Sequence, residues 1–280
     1  IWIYATSQKR RFCKLIGDLD QPHLKPRFTP SARCRPMPHE TIAADVAALN
    51  KKYRHHSATE VLQDALQELA PRKIALVSSF GAESVALLHL LAISDNTIPV
   101  LFIDTRLLFA ETLVYHADVS EKLGLKDIRI LPPSRQSITR EDPYGALRFT
   151  DPDRCCDLRK TRVLQEALDG FGAWITGRKR FQSGTRKELD FFEYDTDQNK
   201  IKVNPLAHWT AQDISTYMEE NRLPRHPLID QGYPSIGCAP CTSKVQQGED
   251  QRAGRWRNHP KTECGLHIEN PVQSQVGEKA

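Results

Sequence analysis

Short apolar runs alternate with stretches of helical period along most of this chain. Residues 73–77, 100–103, 128–131 and 173–176 are nearly continuous apolar runs of four or five. Runs of this length without polar alternation predict strands buried on both faces, the pattern of a parallel sheet. Between them the period changes. Val61, Leu62, Ala65, Leu66 and Leu69 recur at helical spacing behind Ser57 and Glu60, which are spaced as a capping box, and Pro71 ends that helix. Residues 85–93 predict a second helix, and a third helical stretch follows the second strand through about Leu123. Pro132 and Pro133 stop the third strand. Residues 191–194 and 200–203 flank a turn and predict a hairpin, after which Thr210 and Asp213 cap a helix to about Asn221. Beyond Pro224 the chain is rich in Gly, Pro, Cys and charge, and is read as irregular. Alternating strand and helix, with loops loaded at the strand C-termini, predicts an α/β fold with an open, mostly parallel sheet whose ligands sit at those ends. No repeat or linker interrupts residues 39–280, which are read as a single domain with an irregular Cys-rich C-terminal segment.

Composition changes this picture in three ways. No run of eighteen apolar residues occurs, so no membrane-spanning helix is expected. The net charge of +4 is misleading, because residues 1–38 carry eight Lys or Arg against Asp18 and Asp20. The remainder holds 31 basic and 33 acidic residues, which gives no surface for tracking a nucleic-acid backbone. That leader, with five prolines and no initiating Met, is read as a disordered or non-native extension, and Cys13 and Cys34 within it receive no role. Seven cysteines in 280 residues are too few for a disulfide scaffold, so their spacing points to metal binding or catalysis in a reducing, cytoplasmic setting.

The candidate chemistry lies in four places. The loop at residues 78–84, Ser-Ser-Phe-Gly-Ala-Glu-Ser, joins a strand to a helix, where small residues let backbone N–H groups approach an anion. It lacks the Gly-Lys-Ser/Thr of a Walker loop and the Gly-x-Gly-x-x-Gly of a dinucleotide site, and an ordinary capped turn would look the same. Asp104 ends the second strand, where it either contacts a sugar or adenine or simply caps a helix. Cys155-Cys156 and Cys238-x-x-Cys241 form two tight pairs that fit a tetrathiolate site for zinc or an iron–sulfur cluster. Adjacent side chains diverge, which suits four separate irons better than one zinc. Cys264 stands apart, between Lys261 and His267, where cations would favour its thiolate. Lys160, Lys179, Arg180, Arg186, Arg252 and Arg255 lie in the neighbouring loops and suit phosphate or sulfate oxygens.

Several of these segments together resemble one known family. The 78–84 loop, Cys155-Cys156-Asp157-Leu158-Arg159-Lys160, Ile236-Gly237-Cys238-Ala239-Pro240-Cys241-Thr242, Gly254-Arg255-Trp256 and the Lys-Thr-Glu-Cys-Gly-Leu-His stretch at 261–267 are similar to those of assimilatory adenylyl-sulfate reductases, within the wider phosphoadenylyl-sulfate reductase family. The likeness runs over about residues 40–268. It implies an adenine-nucleotide α-hydrolase-like fold, a [4Fe–4S] cluster on Cys155, Cys156, Cys238 and Cys241, and Cys264 as nucleophile. Lys160, Arg186, Arg252 and Arg255 match positions that grip the phosphosulfate, and Ser78, Ser79, Phe80, Gly81 and Ser84 match the nucleotide loop. Arg180 and His267 complete the expected substrate contacts. The implied reaction converts adenylyl sulfate to sulfite and AMP through an S-sulfocysteine. With no thioredoxin-like module after Cys264, as plant-type relatives carry, a separate thioredoxin or glutaredoxin is the expected reductant. The family often has Gly where Arg106 stands and Pro where Ala110 stands, and residues 182–186 look one residue tighter than in some relatives.

Three alternatives remain open on sequence alone. The same reaction could use 3′-phosphoadenylyl sulfate, although users of that nucleotide generally lack the two cysteine pairs. A metal-stabilised RNA-thiolating or RNA-binding protein would share the loop but leave the Cys264 motif unexplained. A zinc module would leave Cys264 as filler. Self-association into a homo-oligomer is also left open.

Overall fold

The computed structural model describes residues 39–257 together with His259, Lys261, Glu263 and Leu266, all within the unit Met37–Ala280. The expected N-terminal extension, Cys264 and His267 lie outside the described residues. Two helices, α1 (His39–Tyr53) and α2 (Ala58–Glu68), lead into β1 (Ile74–Ser78), then α3 (Ser84–Asp95), β2 (Val100–Ile103), α4 (Ala110–Lys122) and β3 (Ile128–Leu131). Four short helices follow: α5 (Arg135–Glu141), α6 (Leu147–Thr150), α7 (Pro152–Cys156) and α8 (Arg162–Ala167). The chain then returns to the sheet as β4 (Ala173–Ile175), β5 (Phe192–Asp195) and β6 (Lys200–Val203), and α9 (Ala211–Glu220) closes the regular part.

The six strands lie in the order β3-β2-β1-β4-β6-β5, with β5 antiparallel to β6 and every other pair parallel. The predicted α/β sheet is therefore present, and β1 to β4 is where the chain switches direction across it. Strand alternation divides the core. Ile74, Leu76, Val100, Phe102, Ala173 and Ile175 face α2, α3 and α4, whereas Ala75, Leu101, Ile103 and Trp174 face Val163, Leu164 and Leu168 of α8 and its end. Because α3 is apolar around its whole circumference, it is buried on most sides, through Val85, Leu88 and Leu91 among others. Each such side chain removed from water stabilises the fold by about 1.5–3 kcal/mol.

Both predicted capping boxes form. Ser57 Oγ accepts from Glu60 N while Glu60 Oε2 accepts from Ser57 N at 2.7 Å, and Thr210 and Asp213 repeat the arrangement. Two features went unpredicted. Helix α1 packs on the β5 edge, where Asn50 Nδ2 donates to Phe192 O at 2.8 Å and Asn50 Oδ1 accepts from Phe192 N at 2.9 Å. A side-chain amide thus satisfies backbone groups that an edge strand would otherwise expose. Helices α5 to α8 are the other, too short to show a period.

The turn after β2 carries a strained residue. Arg106 has φ +61°, where a side chain costs about 1–2 kcal/mol, and its ion pair to the buried Asp104 at 3.3 Å comes from a guanidinium that is itself largely exposed, so it offsets little of that cost. A glycine would adopt this conformation without that cost. We expect Arg106→Gly to be stabilising by up to about 1 kcal/mol in thermal melts, and Arg106→Val, β-branched in a left-handed position, to be destabilising by about 1–2 kcal/mol.

Candidate active site

The C-terminal ends of β1, β2 and β4 open into one cavity of about 530 Å³, within the range that small-molecule sites occupy. Its floor is the loop between β1 and α3. Phe80 sits there at φ +47°, which turns its fully buried ring away from the cavity and onto Phe102 and His116 at 5.0 and 5.3 Å between centroids. With that ring as anchor, Ser78, Ser79, Gly81 and Ser84 line the opening. Ser78 Oγ accepts from Phe80 N at 3.1 Å, and Ser84 Oγ donates to Gly81 O at 2.7 Å. No side chain caps α3, so its first turn faces the cavity as a partial positive charge. A methyl at Gly81 would come within 3.3 Å of Ile236 O, which is why the loop needs a small residue there.

The loop after β4 supplies paired cations. Lys179, only 2% exposed, donates from Nζ to Glu83 Oε2 at 2.8 Å. Burial pushes its ammonium pKa down, against the opposing pull of Glu83. Arg178 Nη1 donates to Glu193 Oε2 at 2.6 Å. Arg186 uses all of its guanidinium nitrogens: Nε and Nη2 donate to Glu263 Oε1 and Oε2 at 2.9 and 2.6 Å, and Nη1 donates to Gln182. Burial raises the Glu263 carboxyl pKa, but Arg186 and Ser183 outweigh it and hold the group below the ordinary carboxylate range.

The cysteines approach from two directions. Helix α7 ends on Cys155 and Cys156 and runs into a π-helical turn, Asp157–Thr161, a feature that recurs at functional sites. The widened turn sends neighbouring cations apart. Arg159 is buried, with Nη2 donating to Asp142 Oδ2 at 2.8 Å and Nη1 to Thr105 O at 3.3 Å, whereas Lys160 lines the cavity. On the opposite side Cys238 bridges to Leu108, and Thr105 Oγ1 lies 3.2 Å from Cys238 Sγ. Cys241 receives a backbone bond from Trp256 N at 3.1 Å. All four cysteines are free thiols, three of them buried. Burial lifts the Cys155 thiol above its ordinary pKa; Arg159 opposes this, while Cys238 and Cys241 add to it. Burial likewise lifts Cys241, with Cys238 adding to it and Lys160, Arg255 and Lys261 pulling the other way.

Two observations bear on what these thiols could hold. Among the described residues no three His, Cys, Asp or Glu side chains converge closely enough for one metal ion. Trp256 Nε1 and Arg255 Nε are buried donors with no acceptor, on the segment that backs onto Cys241. Cys155, Cys238 and Cys241 lie in mutual electrostatic range with Cys156 next in sequence, and with unmet donors bordering them they fit a group wider than one ion and rich in acceptor atoms, as a four-iron, four-sulfur cube is.

Of the residues expected to contact substrate, Ser78, Ser79, Gly81, Ser84, Lys160, Arg186, Arg252 and Arg255 line this one cavity. Three do not. The Phe80 ring is core. Asp104 turns back on its own loop, its Oδ1 accepting from Arg106 N at 2.9 Å. Arg180 points outward, Nε donating to Leu189 O at 2.7 Å and Nη2 to Asp190 Oδ1. Lys179, named among the anion-suited cations, lines the cavity too, and Thr105, Arg178, Gln182, Trp256 and Glu263 line it without having been assigned to substrate. Proximity to a strand end was the one sequence signal that could have found the first three.

Residues 73–244 match the phosphoadenosine phosphosulfate reductase domain. The chain belongs to that family. It is 45% identical to an adenosine 5′-phosphosulfate reductase of Mesorhizobium japonicum, over 85% of this chain and 94% of the relative, and 37% identical to one of Streptomyces coelicolor, over 81% and 95%. A crystal structure of phosphoadenylyl-sulfate reductase from Candida auris, as a phosphate complex, superposes with a TM-score of 0.61 at 26% identity, covering 71% of this chain and 96% of that one. The open sheet is thus of the adenine-nucleotide α-hydrolase type, and the chain is an oxidoreductase of a family acting on sulfur. Membership sets aside the zinc-module and RNA-thiolating alternatives. No described helix is long and apolar enough to cross a membrane.

Gly237 tests whether the cation facing it matters. A methyl there would fall 2.3 Å from Arg255 Nη2 and 2.6 Å from Cζ, so Gly237→Ala must push the guanidinium out of place. We expect at least tenfold weaker binding of a sulfated adenine nucleotide by calorimetry, about 1.4 kcal/mol, with little change in melting temperature.

Proposed function

We propose that this protein reduces adenylyl sulfate to sulfite and AMP, with Cys264 as nucleophile and a separate thioredoxin or glutaredoxin as electron donor, in assimilatory sulfate reduction and cysteine synthesis. One observation carries the reading: Glu263, covalently joined to Cys264, lines the same cavity as the β1–α3 loop, Lys160, Arg252 and Arg255. The uncapped α3 terminus and the loop amides suit the nucleotide's α-phosphate. Cationic side chains opposite suit the sulfate, and they offset the repulsion between a thiolate and an anionic sulfonate.

In the first step the Cys264 thiolate attacks the sulfate sulfur. A sulfur–sulfur bond forms, the sulfur–oxygen bond to the phosphate breaks, and AMP leaves with the electron pair. In the second, a thiolate of the donor attacks Cys264 Sγ and sulfite departs with the bonding pair; the donor's second thiol then closes its disulfide and restores the Cys264 thiol. Two electrons pass from dithiol to sulfur, so none need come from a metal. Cys155, Cys156, Cys238 and Cys241 would hold a [4Fe–4S] cluster, which would supply structural and electrostatic support. Lys160 stands between that region and the cavity and is assigned to the phosphosulfate. A reaction that consumes free thiols suits the reducing cytoplasm.

The preference for adenylyl sulfate over its 3′-phosphorylated form rests on the four cysteines and on the names of the 37–45% identical relatives. Anaerobically purified protein is expected to contain iron and acid-labile sulfide. Incubated with adenylyl sulfate and no reductant, it should carry a sulfonate on the Cys264 peptide by mass spectrometry. Cys264→Ser should keep the iron and lose sulfite release by at least a thousandfold, an effect of about 4 kcal/mol on the barrier. An adduct on another cysteine, or preferential turnover of the 3′-phosphorylated nucleotide, would refute the assignment.

A further inference from the structure

Arg186 was expected to grip the phosphosulfate, yet its side chain is already fully committed. It is 6% exposed, and its two-pronged contact with Glu263 is the fork geometry in which guanidinium and carboxylate bind most strongly. Glu263, 7% exposed, is satisfied from every side. Ser183 Oγ donates to its Oε1 at 2.6 Å, Thr185 Oγ1 at 3.2 Å, and Arg252 Nη2 lies 3.7 Å from Oε2. The socket is rigid, since Arg186 N donates to Ser183 O at 3.1 Å and Leu189 N to Arg186 O at 3.0 Å. Such a pair gains little net stability against its desolvation cost, and what it can supply is a single geometry.

The same stretch is fixed at two further points. Lys261 Nζ, on a side chain 6% exposed, pairs with Asp153 at the start of α7, and Leu266 packs against the Leu101, Ile103 and Trp174 cluster on the sheet. Glu263 and Leu266 lie on either side of Cys264 in sequence, and successive Cα atoms are about 3.8 Å apart. We propose that Arg186 is a positioning residue: it acts on the reaction through Glu263, as the socket of a carboxylate anchor that sets the segment bearing the nucleophile at the cavity, and does not itself bind the anion. This rests on Cys264 being the attacking thiolate. Holding a nucleophile in register with its target lowers the entropic part of the barrier, so losing the anchor should show in the chemical step and leave nucleotide affinity alone.

Three measurements on the full-length holoenzyme test this, with Glu263→Gln, Arg186→Lys and the double variant. Glu263→Gln keeps the amide oxygen for Ser183 and removes the charge, and it lies outside the sheet core, so it should fold normally. In single turnover at saturating adenylyl sulfate, each single variant should sulfonate Cys264 at least tenfold more slowly than wild type. The double variant should be no slower than the slower single one, because both break the same contact. In a Cys264→Ser background the dissociation constant for adenylyl sulfate should stay within twofold for all three. Tryptic cleavage after Lys261, which needs no turnover, should be at least fivefold faster in each variant. An Arg186→Lys enzyme that binds adenylyl sulfate tenfold more weakly, while Glu263→Gln does not, would make Arg186 an anion contact and overturn the proposal. So would unchanged cleavage after Lys261 or additive losses in the double variant. A wild-type enzyme that never sulfonates Cys264 would sink the functional reading, and the cleavage arm would still decide the anchor.

Discussion

Everything at the site follows from five parallel strands ending along one edge of the sheet. Parallel pairing puts β1, β2 and β4 in register, so the residues that follow each strand emerge side by side. The direction switch between β1 and β4 splays the flanking chain and leaves a crevice that the sheet itself cannot fill. Backbone N–H groups at the start of α3 give the crevice its first positive potential, before any charged side chain is counted. Segments distant in sequence then need only reach this edge to share a ligand. The 155–160 turn and the chain beyond Gly237 both do so, through contacts with the β2 loop at Thr105 and Leu108.

A cavity lined with so many cations would repel itself if each were left unpaired. The structure separates two kinds. Arg159, Arg178, Lys179 and Arg186 are buried and bound to Asp142, Glu193, Glu83 and Glu263 respectively, so they serve as fixed scaffolding. Arg255 has no carboxylate paired to it among the described residues; it stacks over Trp256 at 4.4 Å and lies against Gly237. Burial weakens a cation's hold on its proton and strengthens its attraction for any anion that does enter, because water no longer screens it. The acids thus do more than neutralise: they decide which cations stay available to a ligand.

This sorting was not legible in the sequence. A strand buried on both faces announces itself by an apolar run, and the cysteine pairs announce themselves by spacing, so the sheet and the four thiols could be read directly. Charge type does not name a partner. Arg180 and Arg178 look alike along the chain, yet a two-residue offset on a tight loop sends one to the outer surface and the other into the cavity. Phe80 was grouped with the nucleotide loop, and only its left-handed backbone explains why the ring faces the core. Helix α1 escaped notice because its apolar positions repeat only weakly at helical spacing, although Ile42 and Tyr53 are buried in the core and an amide fixes the helix to an edge strand. Helices α5 to α8 escaped because four to seven residues cannot display a period of 3.6.

The π-helical turn ties these observations together. An ordinary α-helix continuing from Cys156 would rotate about 100° per residue and place Lys160 over the turn that carries Cys156. The widened turn breaks that register. Arg159 goes into the protein to brace Asp142 and the Thr105 carbonyl, and Lys160 goes to the cavity. Thr105 therefore contacts both halves of the site: its carbonyl receives Arg159 from the first cysteine segment, and its hydroxyl meets Cys238 of the second. A displacement of either cysteine segment therefore bears on Thr105, two residues beyond β2, which itself lines the cavity. Through Thr105 the thiol segments and the cavity edge of the sheet are mechanically one unit.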